Sequence, residues 1–556
     1  MLKYLLFLIY PLILLLCWIL VYKKYKNTII ENIKPLLINS IIVSIIICLG
    51  LFIFLSFEDT IYTYDYAGHW IRSLEIKNLF INNPGKILPL VYDSMNNMDY
   101  SYLPALFIFP FLLIKEGFRW FSLTNYLLFL LPAIILLQIL YFDKTTLNKY
   151  LPIILAITIY PLYLTLFYGK VDACGLFFIT MCYALVILPN TNEISNIDNL
   201  TINLFAFLAI FLRRWYLYSV LCFYIMYFIK LLIKKDIKLF KGFVLSFVLV
   251  AIVVLLFFRN FLFMSLTNNF AEVYQFYNRD NKLLSFINYL SPIILIVSLL
   301  GIYKEFKDNK LLLVTNLISI IVPCILVWRI QSFEFHHYYI FLLNILILFI
   351  SGIVFIANNK KIIIMPVLLI MVIQALLIFT HTNSIPLLTS IRKTPEVLDN
   401  KNELVELSSY IKSIEPDEYT TAFIAGGSYG IITDDLLRNA TLPNLDMPNI
   451  DSSVFDIRDG FPKDMQFIKY VVLINPSLYM DKDYQHMYDV INDAIINNKD
   501  VSGIYNKIKE MPINDDYTAT IYERTGDFTP EIKQYFYDQM ISYYPNKEDF
   551  FSYILD

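Results

Sequence analysis

Residues 5–22 read LLFLIYPLILLLCWILVY, and Lys23, Lys24 and Lys26 follow at once. The run is longer than the apolar core of a typical signal peptide and ends on no small-residue cleavage site. It therefore reads as a retained membrane anchor whose lysines stay on the cytoplasmic side. A helix needs about 20 apolar residues to cross the hydrocarbon, and working outward from residue 22, runs of that kind recur to about residue 380. Of 556 residues, 58% are apolar, 17% aromatic and 16% charged, with a mean hydropathy of +0.59. A soluble domain carries about a quarter charged residues, so the composition excludes an ordinary cytosolic enzyme.

The near-balance of 44 basic and 47 acidic side chains hides a division close to residue 385: beyond it stand 15 basic and 29 acidic groups, before it 29 and 18. An acidic tail thus follows a basic membrane part, and nucleic-acid binding is not expected of either. All six cysteines, Cys17, Cys48, Cys174, Cys182, Cys222 and Cys324, lie in or beside apolar runs, so no disulfide framework or cysteine metal site is expected.

Cytoplasmic loops collect Lys and Arg. The basic loops Lys23–Lys34, Lys144–Lys149, Lys234–Lys241, Lys304–Lys310 and Lys360–Lys361 are assigned inside, which puts the intervening loops and the tail outside. Tyr102–Ile114 is short and holds Pro104 and Pro110, and is read as an interfacial or re-entrant piece. Thr201–Ile233 is split at Arg213, Arg214 and Trp215, because two guanidinium groups at mid-membrane are costly. The expected fold is a multi-pass α-helical membrane protein of about twelve transmembrane helices over residues 1–383, with a large first outer loop at 57–120. A soluble extracytoplasmic α/β domain is expected over 384–556.

Three outer loops hold chemistry. The first opens FEDTIYTYDYAGHW at 57–70. Glu58, Asp59 and Asp65 there suit a general base or a metal ligand beside a helix end, or else an ordinary solvated loop. Tyr62, Tyr64, Tyr66 and Trp70 suit a headgroup belt. The second, YGKVD at 168–172, carries Lys170 and Asp172, the latter placed to cap a helix beginning near Ala173. The third, WRIQSFEFHHYY at 328–339, carries Arg329, Gln331, Glu334, His336 and His337. The two adjacent histidines point apart, so each suits a separate hydrogen bond better than a shared metal. Lys170, Arg213, Arg214 and Arg329 suit a phosphate or pyrophosphate at the headgroups, or snorkelling against lipid.

In this order the features resemble the GT-C class of integral membrane glycosyltransferases, which use polyprenyl-phosphate-linked sugars, and within it glycosyltransferase family 39. The resemblance covers roughly residues 36–556. It rests on the acidic first loop, the Tyr-x-x-Pro-like stretch Tyr100 to Pro104, the Gly-x-x-Asp turn Gly169 to Asp172, the polar late loop and the C-terminal domain. It implies an inverting transferase in which Asp65 takes the acceptor proton and Glu58, Asp59 or Asp172 orients the acceptor. Lys170, Arg329, Arg214, His336 and His337 would bind the donor phosphate; Tyr66, His69, Trp70 and Glu334 would contact sugar or acceptor. A divalent metal, Mg or Mn, held by Asp59 and Asp172 is used by some members and not by others. The implied partners are a polyprenyl-phosphate sugar, membrane lipids and a glycan, lipid or protein acceptor. The sequence departs from the class in the reversed order of Glu58 and Asp59 and in the additional crossing at 5–22.

In the tail, Asn402–Ile414 and Tyr484–Asn497 have helical periodicity, and Thr421–Ala425 and Tyr470–Ile474 read as buried strands. AGGSYG at 425–430 lacks the full Gly-x-Gly-x-x-Gly spacing and reads as a tight turn; Asp434 and Asp435 read as solvated or capping. A lipid-linked-sugar flippase or a polymer ligase outside the GT-C class are the rival readings. The wealth of Ile, Asn, Lys and Tyr suggests an AT-rich bacterial source and hence the plasma membrane.

Overall fold

The computed structural model describes residues 2–98, 100–141, 159, 161–189, 191–261, 263, 289–330, 335–359, 364–370, 373, 394–415, 421–451, 468–479 and 485–555. The chain forms two compact units, Met1–Ser56 with His69–Pro395, and Phe57–Gly68 with Glu396–Asp556. The first is helical: α1 (Leu2–Glu31), α2 (Ile33–Ser56), α3 (Tyr64–Asn82), α4 (Ile87–Asn97), α5 (Leu103–Leu112), α6 (Phe118–Asn125), α7 (Leu131–Tyr141), α8 (Pro161–Phe167), α9 (Ala173–Cys182), α10 (Asn196–Leu212), α11 (Tyr216–Lys234), α12 (Ile237–Phe257), α13 (Pro292–Asp308), α14 (Lys310–Ile330) and α15 (Tyr339–Asn359). The opening turn of α3 belongs to the second unit.

Seven helices among the described residues are long and apolar enough to cross a membrane, and the protein is a multi-pass membrane protein. This corrects the expected twelve. Leu103–Leu112, Ala173–Ile187 and Asn196–Leu212 are apolar but have 10–17 residues, short of the about 20 a span requires; the basic loops expected at 144–149 and 360–361 lie outside the described residues. The expected break at Arg213–Trp215 is present, between α10 and α11. The ten-residue α5 at the doubtful proline-containing segment is mostly buried.

α1, α2 and α12 leave Leu12, Leu16, Ile41, Ile45, Leu249 and Leu256 exposed, an apolar surface suited to lipid. α15 is instead buried without interruption from Tyr339 to Val354, as an all-round apolar helix at the centre of a bundle must be. It crosses α13 closely because both helices place glycine at the crossing. A Cβ on Gly301 would overlap the Leu348 carbonyl, and one on Gly352 would overlap the Val297 carbonyl. Ser351 Oγ donates to Glu305 Oε1 at 2.6 Å nearby. Lipid supplies little hydrophobic drive between helices, so small residues and interhelical hydrogen bonds carry such contacts.

The end of α9 and of the π turn after it, Tyr183–Ile187, presents carbonyls without intrahelical donors. Tyr25 OH donates to Ala184 O at 2.7 Å, and Lys230 Nζ donates to Val186 O and Ile187 O at 2.7 and 2.8 Å. Lys24 reaches Leu185 O and pairs with Asp198 at 3.2 Å. Cations at a helix C-terminus also meet its negative dipole end. α9 and its π turn thus begin beside Asp172 and end among these lysines.

The second unit is an α/β fold around a five-stranded sheet. Its strands are β1 (Ala422–Ala425), β2 (Ile450–Asp451), β3 (Tyr470–Asn475), β4 (Tyr505–Pro512) and β5 (Thr518–Arg524), in the order β2-β1-β3-β5-β4. β1 is parallel to β2 and β3, while β5 is antiparallel to β3 and β4. Side chains of β3 alternate between two cores, as the period of two requires. Val471 and Leu473 pack against helices at Gln485–Asn497 and Pro530–Tyr543. Val472 and Ile474 pack on the other face with Leu404 and Leu407 of the helix Lys401–Ile414. Ile61 belongs to that second core, which is why Phe57–Gly68 leaves the expected outer loop and joins the tail. The compact part of the tail starts at Glu396 rather than 384; residues 374–393 lie outside the described residues.

Gly352→Ala is expected to cost about 1–3 kcal/mol by overpacking the α13–α15 crossing. Thermal unfolding of the detergent-solubilised variant measures it, and an unchanged midpoint would refute the close crossing.

Candidate functional site

α8 ends in a two-bond glycine cap. Gly169 has φ +63°, Lys170 N donates to Thr165 O at 2.8 Å and Gly169 N donates to Leu166 O at 3.2 Å. This is the Schellman arrangement, which needs a residue free to adopt the left-handed region. The Gly-x-x-Asp turn therefore works as a helix terminator that sets Lys170 and Asp172 in fixed positions before α9. Side chains lock its backbone: Asn125 Nδ2 donates to Lys170 O and Tyr216 OH donates to Asp172 O, each at 2.7 Å.

Asp172 occupies the N-cap position of α9, yet its side chain makes no cap hydrogen bond. It accepts instead from Arg213 Nε at 2.9 Å, with 1% of Asp172 and 6% of Arg213 exposed. A lone buried carboxylate would be prohibitive, whereas a paired one is tolerable. Asp172 Oδ2 remains buried with no hydrogen-bond partner among the described residues.

Next to this pair, Lys170 Nζ lies 3.0 Å from His336 Nδ1. An ammonium can only donate, so Nδ1 accepts and the ring carries its proton on Nε2. His337 packs its ring against Trp215 at 4.7 Å and against His336 at 4.0 Å. His336 thus meets Lys170 and His337 meets Trp215, but the two rings, expected to point apart, lie against each other.

Tyr100 is the hub of a second layer. The guanidinium groups of Arg72 and Arg213 lie over its ring at 4.9 and 5.4 Å, and the His69 ring stands 5.9 Å away. Cations over a phenol face gain from the ring quadrupole, most where water is excluded. Arg72 also lies 5.8 Å from the Tyr102 ring, whose hydroxyl donates to Glu75. Burial, and then the bond to Glu75, raise the Tyr102 phenol above its ordinary range, so it stays a donor. Arg214 donates to Met98 O and lies over Phe261 at 5.1 Å.

The other sequence candidates are placed as follows. Trp70 is buried, its Nε1 donating to Glu116 O at 2.8 Å and its ring edge-on to Phe118. Arg329 is exposed at the end of α14. Glu334 and Gln331 lie outside the described residues. Glu58, Asp59, Asp65 and Tyr66 belong to the second unit. There Glu58 accepts from Tyr62 OH at 2.7 Å, and Asp59 pairs with Lys401 at 2.6 Å. Asp65 lies in the first turn of α3.

Asp59 pairs with Lys401 within the second unit and Asp172 with Arg213 within the first, and among the described residues no group of three His, Cys, Asp or Glu side chains could hold a metal ion.

Sequence reasoning missed Arg72 and Glu75. Their signal was the helical spacing from His69, which sets His69 and Arg72 on one face of α3. No protein-family model, curated protein or solved structure matches the chain.

Breaking the buried pair by Arg213→Met is expected to cost about 3–5 kcal/mol, because Asp172 is left uncompensated. Adding Asp172→Asn to that variant should recover much of the loss. Thermal unfolding in nanodiscs reads both, and single variants as stable as the parent would contradict the pair's role.

Proposed function

We propose that the protein is an inverting glycosyltransferase that moves a sugar from a polyprenyl-phosphate donor to an acceptor hydroxyl at the outer face of a bacterial plasma membrane. The observation that carries this reading is the cluster around Tyr100 and His336. There Lys170, Arg213 and Arg72 gather at one end of the helical bundle against Asp172 and Glu75. Guanidinium and ammonium groups gathered where water is scarce suit an anion, and a phosphate at the end of a lipid is the anion a bilayer delivers.

In this reading Lys170, Arg213 and Arg72 neutralise the phosphate as the bond to C1 of the sugar breaks, which is where negative charge develops. Asp65 takes the proton of the attacking hydroxyl, and the hydroxyl attacks C1 from the face opposite the leaving phosphate, inverting the configuration. Asp172 Oδ2, buried and with no hydrogen-bond partner among the described residues, is suited to accept a hydrogen bond from a hydroxyl of sugar or acceptor.

A lipid-linked-sugar transporter is the second reading. It is favoured by Lys230 and Glu305, ionisable groups buried inside helices, since such residues often mark transport pathways. Turnover separates the two. The purified protein in nanodiscs, given a panel of undecaprenyl-phosphate hexoses and pentoses, is expected to release undecaprenyl phosphate. Asp65→Asn should lower that rate by about 10²- to 10⁴-fold while donor binding persists. Normal turnover in that variant would refute Asp65 as the base, and donor movement across the bilayer without release would favour the transporter.

A further inference from the structure

Asp65 stands one residue after the start of α3, and the chain leading to it is built into the second unit. Asp59 forms a bridge with Val397, its N–H donating to Glu396 O at 2.9 Å and its carbonyl accepting from Leu398 N at 2.8 Å. Ile61 is buried in the core beneath the sheet. Asn439 Nδ2 donates to Tyr62 O at 3.0 Å. The Asp59–Lys401 ion pair is largely exposed and adds little; the backbone bonds and Ile61 do the holding.

The decisive contact is at the start of the helix. The first N–H groups of a helix have no intrahelical acceptor, and an acidic side chain there satisfies a donor and meets the positive dipole end. Tyr64 N donates to Asp435 Oδ2 at 2.6 Å. Tyr64 itself has φ +48°, a conformation costly for a bulky residue and kept only where the surroundings impose it. Asp435 does not cap its own helix, Asp434–Asn439; Thr433 does, accepting from Leu436 N. Asp435 is in turn held by Arg438 Nη1 at 3.2 Å, whose other nitrogen binds Asp434 and Ile450 O.

We propose that Asp435 is a positioning residue for Asp65: a carboxylate of the C-terminal domain caps the helix that carries the base and fixes where that base begins. This rests on the transferase reading of Asp65.

The test uses the full chain in nanodiscs, with hydrogen exchange over residues 59–66 and steady-state release of undecaprenyl phosphate from whichever donor of the panel the parent uses. Asp435→Ala is expected to speed exchange of the Tyr64 amide by about tenfold or more, the loss of a bond to a charged acceptor. It should lower kcat by about ten- to a hundredfold through misplacement of the base, with KM for the donor little changed. Asp435→Asn keeps an acceptor oxygen and should restore both readings to near the parent, which a general loss of folding would not do; it also serves if the alanine variant does not fold. Unchanged exchange in Asp435→Ala, or faster exchange with unchanged kcat, or an asparagine variant as slow as alanine, would overturn the proposal. A parent inert toward every donor would overturn the transferase reading and the positioning role with it, while the exchange data still decide whether Asp435 holds the segment.

Discussion

A carboxylate at the start of a buried helix must find a cation or lose its charge, and Asp172 finds Arg213. Much of the first unit's local architecture answers to that demand. The hydrophobic stretch from 196 to 234 has to break where the guanidinium leaves the helix, so α10 stops at Leu212 and α11 restarts at Tyr216. The glycine cap after α8 has to turn the chain so that the carboxylate faces that break. Tyr216 then ties the same turn from the new helix. The pair does not exhaust the cations. Lys170 and Arg72 stand close by, Lys170 3.0 Å from His336 Nδ1 and Arg72 over the Tyr100 ring.

The elements legible in the sequence were those set by local rules. Two adjacent arginines cannot sit at mid-membrane, so the break at 213–215 was readable, as were β1, β3 and the helices at 401–414 and 485–497 from their periodicity. The span count was not. Hydropathy registers apolar side chains, whether a helix crosses lipid or, like α9, is buried among other helices in a shorter run. The β4–β5 hairpin escaped because β4 is charged and its register slips between Lys507 and Lys509, breaking the alternation that marks a strand.

Of the candidate site, Lys170, Asp172, His336 and His337 were legible as polar residues in apolar surroundings. Their pairings were not, since partners more than 40 residues apart leave no local trace. The same limit hid the allegiance of Phe57–Gly68. Read locally it is a polar loop after α2, while its bonds to Glu396, Leu398, Asp435 and Asn439 tie it to sequence more than 300 residues away. Asp59, a metal candidate by composition, is thereby a strand-like residue of the tail, and Asp435 is a cap for a helix far from its own.

The most direct measurement is a cryo-electron microscopy structure in nanodiscs with undecaprenyl phosphate added, since a phosphate site in the first unit is the premise of the proposed chemistry. Phosphate density within hydrogen-bonding distance of Lys170, Arg213 or Arg72 is the expected result. Phosphate bound elsewhere on the protein, with that cluster unchanged and holding only water, would contradict it.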